Sequence, residues 1–219
     1  FNGPALVEGG PGTGKTVVGI HRAVHLARET GEDGKILFCT FSRKLASYID
    51  EKVNELKEQK NAPDIIEVEG VDRLINRLLN SYNLTDKKIN MNKLRELMEE
   101  TYVELDLDEE FEFYETEYNE VIQRYKIRSL DEYLNVSRSG RKKRFSAENR
   151  TRAWEFFARV LEKKDENNLI DFEDRAHILY QAIEKGIVEP IYDYIIVDEA
   201  QDLSPCKLRI LAGLVKREK

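Results

Sequence analysis

Two short stretches of this sequence carry residue types that chemistry requires. The first is Gly9-Gly10-Pro11-Gly12-Thr13-Gly14-Lys15-Thr16, which fits the pattern G-x-x-x-x-G-K-[ST]. Its glycines let backbone N–H groups approach an oxyanion in dihedrals that a Cβ would resist. Lys15 then reaches the β- and γ-phosphates of a nucleotide as a point charge, and the Thr16 hydroxyl is a Mg²⁺ ligand. The second stretch is Asp198-Glu199-Ala200-Gln201-Asp202, directly behind the apolar run Tyr194-Ile195-Ile196-Val197. Mg²⁺ takes oxygen ligands and only one or two from protein, so Asp198 can hold it directly or through water. Glu199 beside it is placed to activate a water for in-line attack on a γ-phosphate. Gln201 can hydrogen-bond around that phosphate, and Asp202 can do so or cap the next helix. The chemistry implied is hydrolysis of a nucleoside triphosphate.

Such a site needs particular elements around it. Pro4 to Glu8 reads as a short strand entering the glycine loop. Thr16 to Arg28 reads as a helix, with Val17, Ile20, Val24 and Ala27 at helical spacing and Gly31 as C-cap. Strand, glycine loop and helix together aim a helix N-terminus at phosphate. Lys35 to Thr40 reads as a buried parallel strand, followed by a helix from Ser42 to Lys60 with Leu45, Ile49, Val53 and Leu56 on one stripe. Pro63 ends that helix, Ile65 to Val68 is a third strand, and Val71 to Leu79 is again helical. From Asn80 to Asn168 no strand pattern occurs. Helices are expected there at 92–103, 109–126, 130–135 and 147–166, with a capping box at Ser129-x-x-Glu132 and Ser146 as an N-cap. Trp154, Phe156 and Phe157 read as their core. Asp171-x-x-Asp174 then opens a helix that Gly186 ends, Tyr192 to Val197 is a strand, and Ser204-Pro205 starts a last helix.

Composition narrows the class. The chain has 219 residues, 41% apolar and 35% charged, which suits a helix-rich globular protein. Its apolar runs are strand-sized, so no membrane span is expected. Two cysteines, Cys39 and Cys206, make no disulfide framework and point to a reducing, cytoplasmic setting. A net charge of −7 argues against a nucleic-acid coat protein but allows a local binding groove. Residues 104–120 are acidic, whereas Arg138, Arg141, Lys142, Lys143 and Arg144 form a basic cluster, readable as a solvated run or as a loop touching phosphates. His21, His25 and His177 read as surface helix positions. A guanine-specific N-K-x-D is absent, since Asn92-Lys93-Leu94-Arg95 fails at the Asp.

With both stretches in place, the sequence resembles the UvrD/Rep-type superfamily 1 helicases, most closely their UvrD-like and HelD-like branches. Gly9–Thr16 and Asp198–Asp202 are similar to that family's motifs I and II. Thr40-Phe41-Ser42-Arg43-Lys44-Leu45-Ala46 resembles motif Ia, although Arg43 stands where Asn is usual. Leu169-Ile170-Asp171-Phe172-Glu173-Asp174 resembles the acidic-aromatic segment before motif II. The resemblance implies an α/β fold of the P-loop NTPase kind. A RecA-like parallel sheet would be formed by residues 1–79 and 169–219, with an all-helical subdomain inserted at 80–168. It implies ATP and Mg²⁺ as cofactors and Gly9, Gly10, Pro11, Gly12, Thr13, Gly14, Lys15 and Thr16 as the nucleotide loop. It further implies catalytic roles for Lys15, Glu199 and Gln201, metal ligation by Thr16 and Asp198, and DNA contacts from Thr40, Phe41 and Arg43.

The expected function is therefore the N-terminal motor portion of an ATP-dependent DNA helicase or translocase. Its partners would be single-stranded DNA or a duplex/single-strand junction, and a second RecA-like domain outside this chain. Phe1 lies close before the loop and no downstream motif follows Asp202, so the chain reads as part of something longer, with little turnover expected of it alone. The alternative is a nucleotide-dependent regulatory module acting on a protein such as RNA polymerase, which the acidic charge favours.

Overall fold

The glycine loop leads into α1 (Lys15–Thr30), which Gly31 closes with its N–H on the Ala27 carbonyl at 3.1 Å and a φ of 78°. The computed structural model describes residues 4–87, 89–105, 107, 109–136 and 145–216. Strand β1 (Ile36–Thr40) is buried along its whole length, as its unbroken apolar run requires. Helix α2 (Arg43–Lys60) follows, with the Ser42 hydroxyl accepting from the Leu45 N–H at 3.2 Å. Next come β2 (Ile66–Gly70) and α3 (Val71–Ser81). After the helical middle, α8 (Phe172–Glu184) leads to β3 (Tyr194–Val197), a 3₁₀ turn at Ala200–Asp202 and α9 (Pro205–Gly213), capped by Ser204.

The three strands make one parallel sheet in the order β2-β1-β3, with Phe38 opposite both Val68 and Ile196. On one face Phe38 packs with Ile20 and Ala23 of α1 and Ile49 and Val53 of α2. Gly19 permits that approach, because a Cβ there would stand 3.1 Å from the Phe38 ring. Cys39 is fully buried, and burial, helped by the Glu69 charge, pushes its thiol up to about 12. It is inert in the manner of a buried structural cysteine.

Two expectations are corrected. Pro4 to Glu8 is no strand: the segment joins no ladder, and Leu6 is 79% exposed. A strand is stabilised by ladder bonds and by burial of a face; this segment has neither, and Pro4 lacks an N–H to donate. The helix expected over 109–126 is instead α5 (Phe111–Glu117) followed by a π-helical turn, Tyr118–Gln123. There Ile127 N–H bonds the Ile122 carbonyl at 2.8 Å and the Gln123 amide donates to the Tyr118 hydroxyl at 2.5 Å. The wider turn places Tyr118, Val121, Ile122 and Gln123 all inside, which an α-helical stripe would not.

By contacts the chain divides into two compact units, one formed by Phe1–Tyr82 with Leu179–Lys219 and one by Asn83–Ile178. The second unit holds α4 (Met91–Leu105), α5, the π turn, α6 (Leu130–Asn135), α7 (Ala147–Glu166) and the start of α8. The Ser129–Glu132 capping box forms in both directions. Tyr114, Tyr133, Phe156 and Phe157 make a ring cluster in its core, with Tyr114 and Phe156 centroids 5.0 Å apart and Trp154 packed against it. The basic cluster at 138–144 lies outside the described residues.

Asp171 and Asp174 cap α8 reciprocally, each carboxylate accepting the other's backbone N–H at 2.9 and 3.1 Å. The partner that sequence reading missed is Lys164 of α7, whose ammonium is buried against both carboxylates. Burial raises Asp171; at Asp174 burial acts the same way, but the Lys164 charge and hydrogen bond outweigh it and hold the carboxyl low. Removing one member of a buried ion cluster leaves the others uncompensated. Lys164→Met is therefore expected to destabilise the protein by about 3–5 kcal/mol in chemical denaturation. Lys93→Met, which breaks only an exposed pair with Glu96, should change it by less than about 1 kcal/mol.

Candidate functional site

The loop Gly9–Gly14 is built by its own residues. Gly12 and Gly14 have φ of 73° and 84°, the left-handed region where a side chain is strained. The Thr13 hydroxyl donates to the Gly10 carbonyl at 2.9 Å, and a Cβ on Gly9 would meet that hydroxyl at 2.6 Å. Gly14 is the N-cap of α1, so the free N–H groups of the first helical turn open toward the loop. Lys15 folds back over it, its ammonium donating to the Gly9 and Gly10 carbonyls at 2.9 Å each. That geometry keeps the charge above the concave side of the loop, where phosphate oxygens would replace carbonyl oxygens as acceptors.

The second stretch meets the first at one bond. Thr16 Oγ1 donates to Asp198 Oδ2 at 2.8 Å, joining residues 182 positions apart. Asp198 is held there because its N–H extends the β1–β3 ladder by one residue, onto the Cys39 carbonyl at 2.9 Å. It is buried, at 8% exposure. A hydroxyl and a carboxylate in contact are hard oxygen donors, and two protein ligands with room for phosphate and water are what Mg²⁺ accepts. The donor set therefore fits that ion.

Beyond Asp198 the backbone turns sharply. Glu199 has φ 53° and ψ 43°, a left-handed conformation unusual for a side chain of this kind. Strained dihedrals of this sort cluster where function requires them. The Gln201 amide donates to the Glu199 carboxylate, and the Asp202 N–H bonds the Glu199 carbonyl at 3.0 Å. Ser204, rather than Asp202, caps α9.

The motif Ia residues divide. Phe41 is 52% exposed and Arg43 is exposed beside it at the start of α2, whereas Thr40 is buried completely. Its hydroxyl has no hydrogen-bond partner among the described residues. Thr40 closes β1, the middle strand of the sheet, with no exposed surface. A groove of about 310 Å³ opens between α1 and α2 from Thr16, lined by Val17, Ile20, His21, Leu45 and Tyr48, away from the loop's glycines.

A glycine loop clasped to the acidic end of a parallel strand narrows the family, and the whole chain decides it. Residues 1–219 match the family model of the UvrD/REP helicase N-terminal domain. The chain belongs to that family. Its members are ATP-dependent helicases. No match was found among curated proteins. No helix among the described residues is long and apolar enough to cross a membrane.

The left-handed glycines give a direct check on the loop. Gly14→Ala places a Cβ at φ 84° and should lower stability by about 1–2 kcal/mol, whereas Gly10→Ala, with no positive φ, should not. Denaturant titration of both variants measures the difference.

Proposed function

We propose that this chain is the ATP-binding portion of a motor that moves along single-stranded DNA, driven by hydrolysis at the Gly9–Thr16 loop. The observation that carries the proposal is the 2.8 Å bond between Thr16 and Asp198, which joins the glycine loop's helix to the carboxylate that follows β3. In this reading the unit formed by Phe1–Tyr82 and Leu179–Lys219 is the RecA-like domain, and Asn83–Ile178 is the inserted helical subdomain.

Each residue then has a distinct task. The backbone N–H groups of Gly9 to Thr16, Pro11 excepted, wrap the β-phosphate, and Lys15 leaves the Gly9 and Gly10 carbonyls for the γ-phosphate. Thr16 and Asp198 would hold Mg²⁺, which would supply neutralisation of the phosphate charge. Glu199 accepts the proton of the attacking water as general base, and Gln201 orients that carboxylate through its amide. Phe41 and Arg43 face outward at the same carboxyl edge of the sheet, an aromatic face for a base and a cation for a phosphate. Stacking a base on an aromatic contributes roughly 1–3 kcal/mol without sequence preference, as a translocase requires. Thr40 is not part of that contact.

Variants of the full-length protein test the assignment. Lys15→Ala should abolish ATP binding in a fluorescent-nucleotide titration. Glu199→Gln should bind ATP as the parent does while its turnover drops about 10²–10⁴-fold; unchanged turnover would remove Glu199 from the base role. Phe41→Ala should weaken single-stranded DNA binding and its stimulation of ATPase roughly tenfold, leaving DNA-free ATPase intact. If no single strand stimulates the ATPase, the motor reading falls and the alternative stands, a nucleotide-dependent module that regulates a protein partner.

A further inference from the structure

Thr40 is the anomaly of the sheet. It ends the central strand, is buried completely, and keeps a hydroxyl with no partner among the described residues. Valine has the same shape and would carry no such penalty there, so the hydroxyl is retained at a cost to stability.

Its direction follows from the register. A Cβ on Gly19 of α1 would approach Phe38 at 3.1 Å and Ile196 at 3.6 Å, so both of these side chains face α1. Side chains alternate along a strand, and the residues two further on, Thr40 and Asp198, therefore point to the same face. The bond from Thr16 of α1 to Asp198 agrees with that orientation. Phe38 pairs with Ile196 and Cys39 with Val197, and the Asp198 N–H on the Cys39 carbonyl carries the ladder one step further. Thr40 and Asp198 are thus lateral neighbours, with strands about 5 Å apart. On the opposite flank Thr40 pairs with Gly70, which has no side chain to offer a competing acceptor.

We propose that Thr40 is a positioning residue for Asp198 in the nucleotide-bound state, a role that rests on the functional reading above. In the present state one Asp198 oxygen takes its hydrogen bond from Thr16. A hydroxyl that ligates a cation through a lone pair keeps its proton, so Thr16 would still donate to that oxygen with Mg²⁺ held there. The second carboxylate oxygen, or a water on it, would be the acceptor for the Thr40 hydroxyl, the buried donor beside it, and the two bonds together would hold the carboxylate plane. The motif Ia threonine thereby links the DNA-facing start of α2 to the metal carboxylate through two adjacent residues, Thr40 and Phe41.

Thr40→Val and Thr40→Ser in the full-length protein, titrated with a non-hydrolysable ATP analogue with and without Mg²⁺, test this. Thr40→Val should melt no lower than the parent without ligand and bind metal-free nucleotide equally well. The gain in affinity on adding Mg²⁺ should fall about tenfold, the weight of one hydrogen bond to a charged group. Thr40→Ser, which keeps the hydroxyl, should restore that gain. An undiminished Mg²⁺ gain in Thr40→Val, or a loss in Thr40→Ser equal to that in Thr40→Val, overturns the role of Thr40 alone. A parent protein whose nucleotide affinity does not respond to Mg²⁺ overturns the functional reading and this inference with it.

Discussion

The hydrogen bond from Thr16 to Asp198 is the constraint on which the site depends. It ties the first turn of α1 to the end of β3, and each partner is fixed by a different kind of force. Thr16 is placed by the glycine loop and the helix it starts. Asp198 is placed by the parallel ladder with β1 and by the packing of Phe38 and Ile196 beneath Gly19. A small sheet suffices because its central strand is buried from Ile36 to Thr40 and cannot shift register without exposing that run.

Polar groups inside the protein follow a consistent logic. Lys164, Asp171 and Asp174 are buried together, so their charges compensate one another at the place where α7 hands over to α8. Arg77 of α3 gathers Glu67, Glu69 and the Tyr192 hydroxyl over β2, which lets two acidic residues occupy a sheet edge. Against that background the Thr40 hydroxyl stands out in the sheet, because it has no partner among the described residues. A donor left unmatched at the end of a central strand, next to a carboxylate proposed to bind a cation, is the arrangement expected of a group that acquires its partner with the ligand.

The family's helicase character and the geometry of the loop reinforce each other at different scales. The match spans residues 1–219 and speaks for the chain as a whole. The positive φ of Glu199 marks a position where the backbone has accepted strain, while Gly12 and Gly14 take the same region without it. Phe41 and Arg43 lie between these scales: their exposure makes them available, and their place after β1 puts them at the same sheet edge as Asp198 after β3.

By itself the sequence determined what short-range physics controls. The glycine loop, the capping residues Ser129, Ser146 and Ser204, the glycine stops at 31 and 186, and the apolar stripes of α1, α2 and α3 are each written within a few residues. Such features depend on local hydrogen bonds and helical spacing, so they were legible. Only the tertiary structure decided which of those elements meet. It brought Thr16 to Asp198, buried Thr40 while leaving Phe41 outside, and set Lys164 against two capping aspartates. It also left Pro4–Glu8 without a ladder and widened the helix at Tyr118–Gln123. Each of these depends on register, burial or a partner distant in the chain, quantities that no local pattern of residue types encodes.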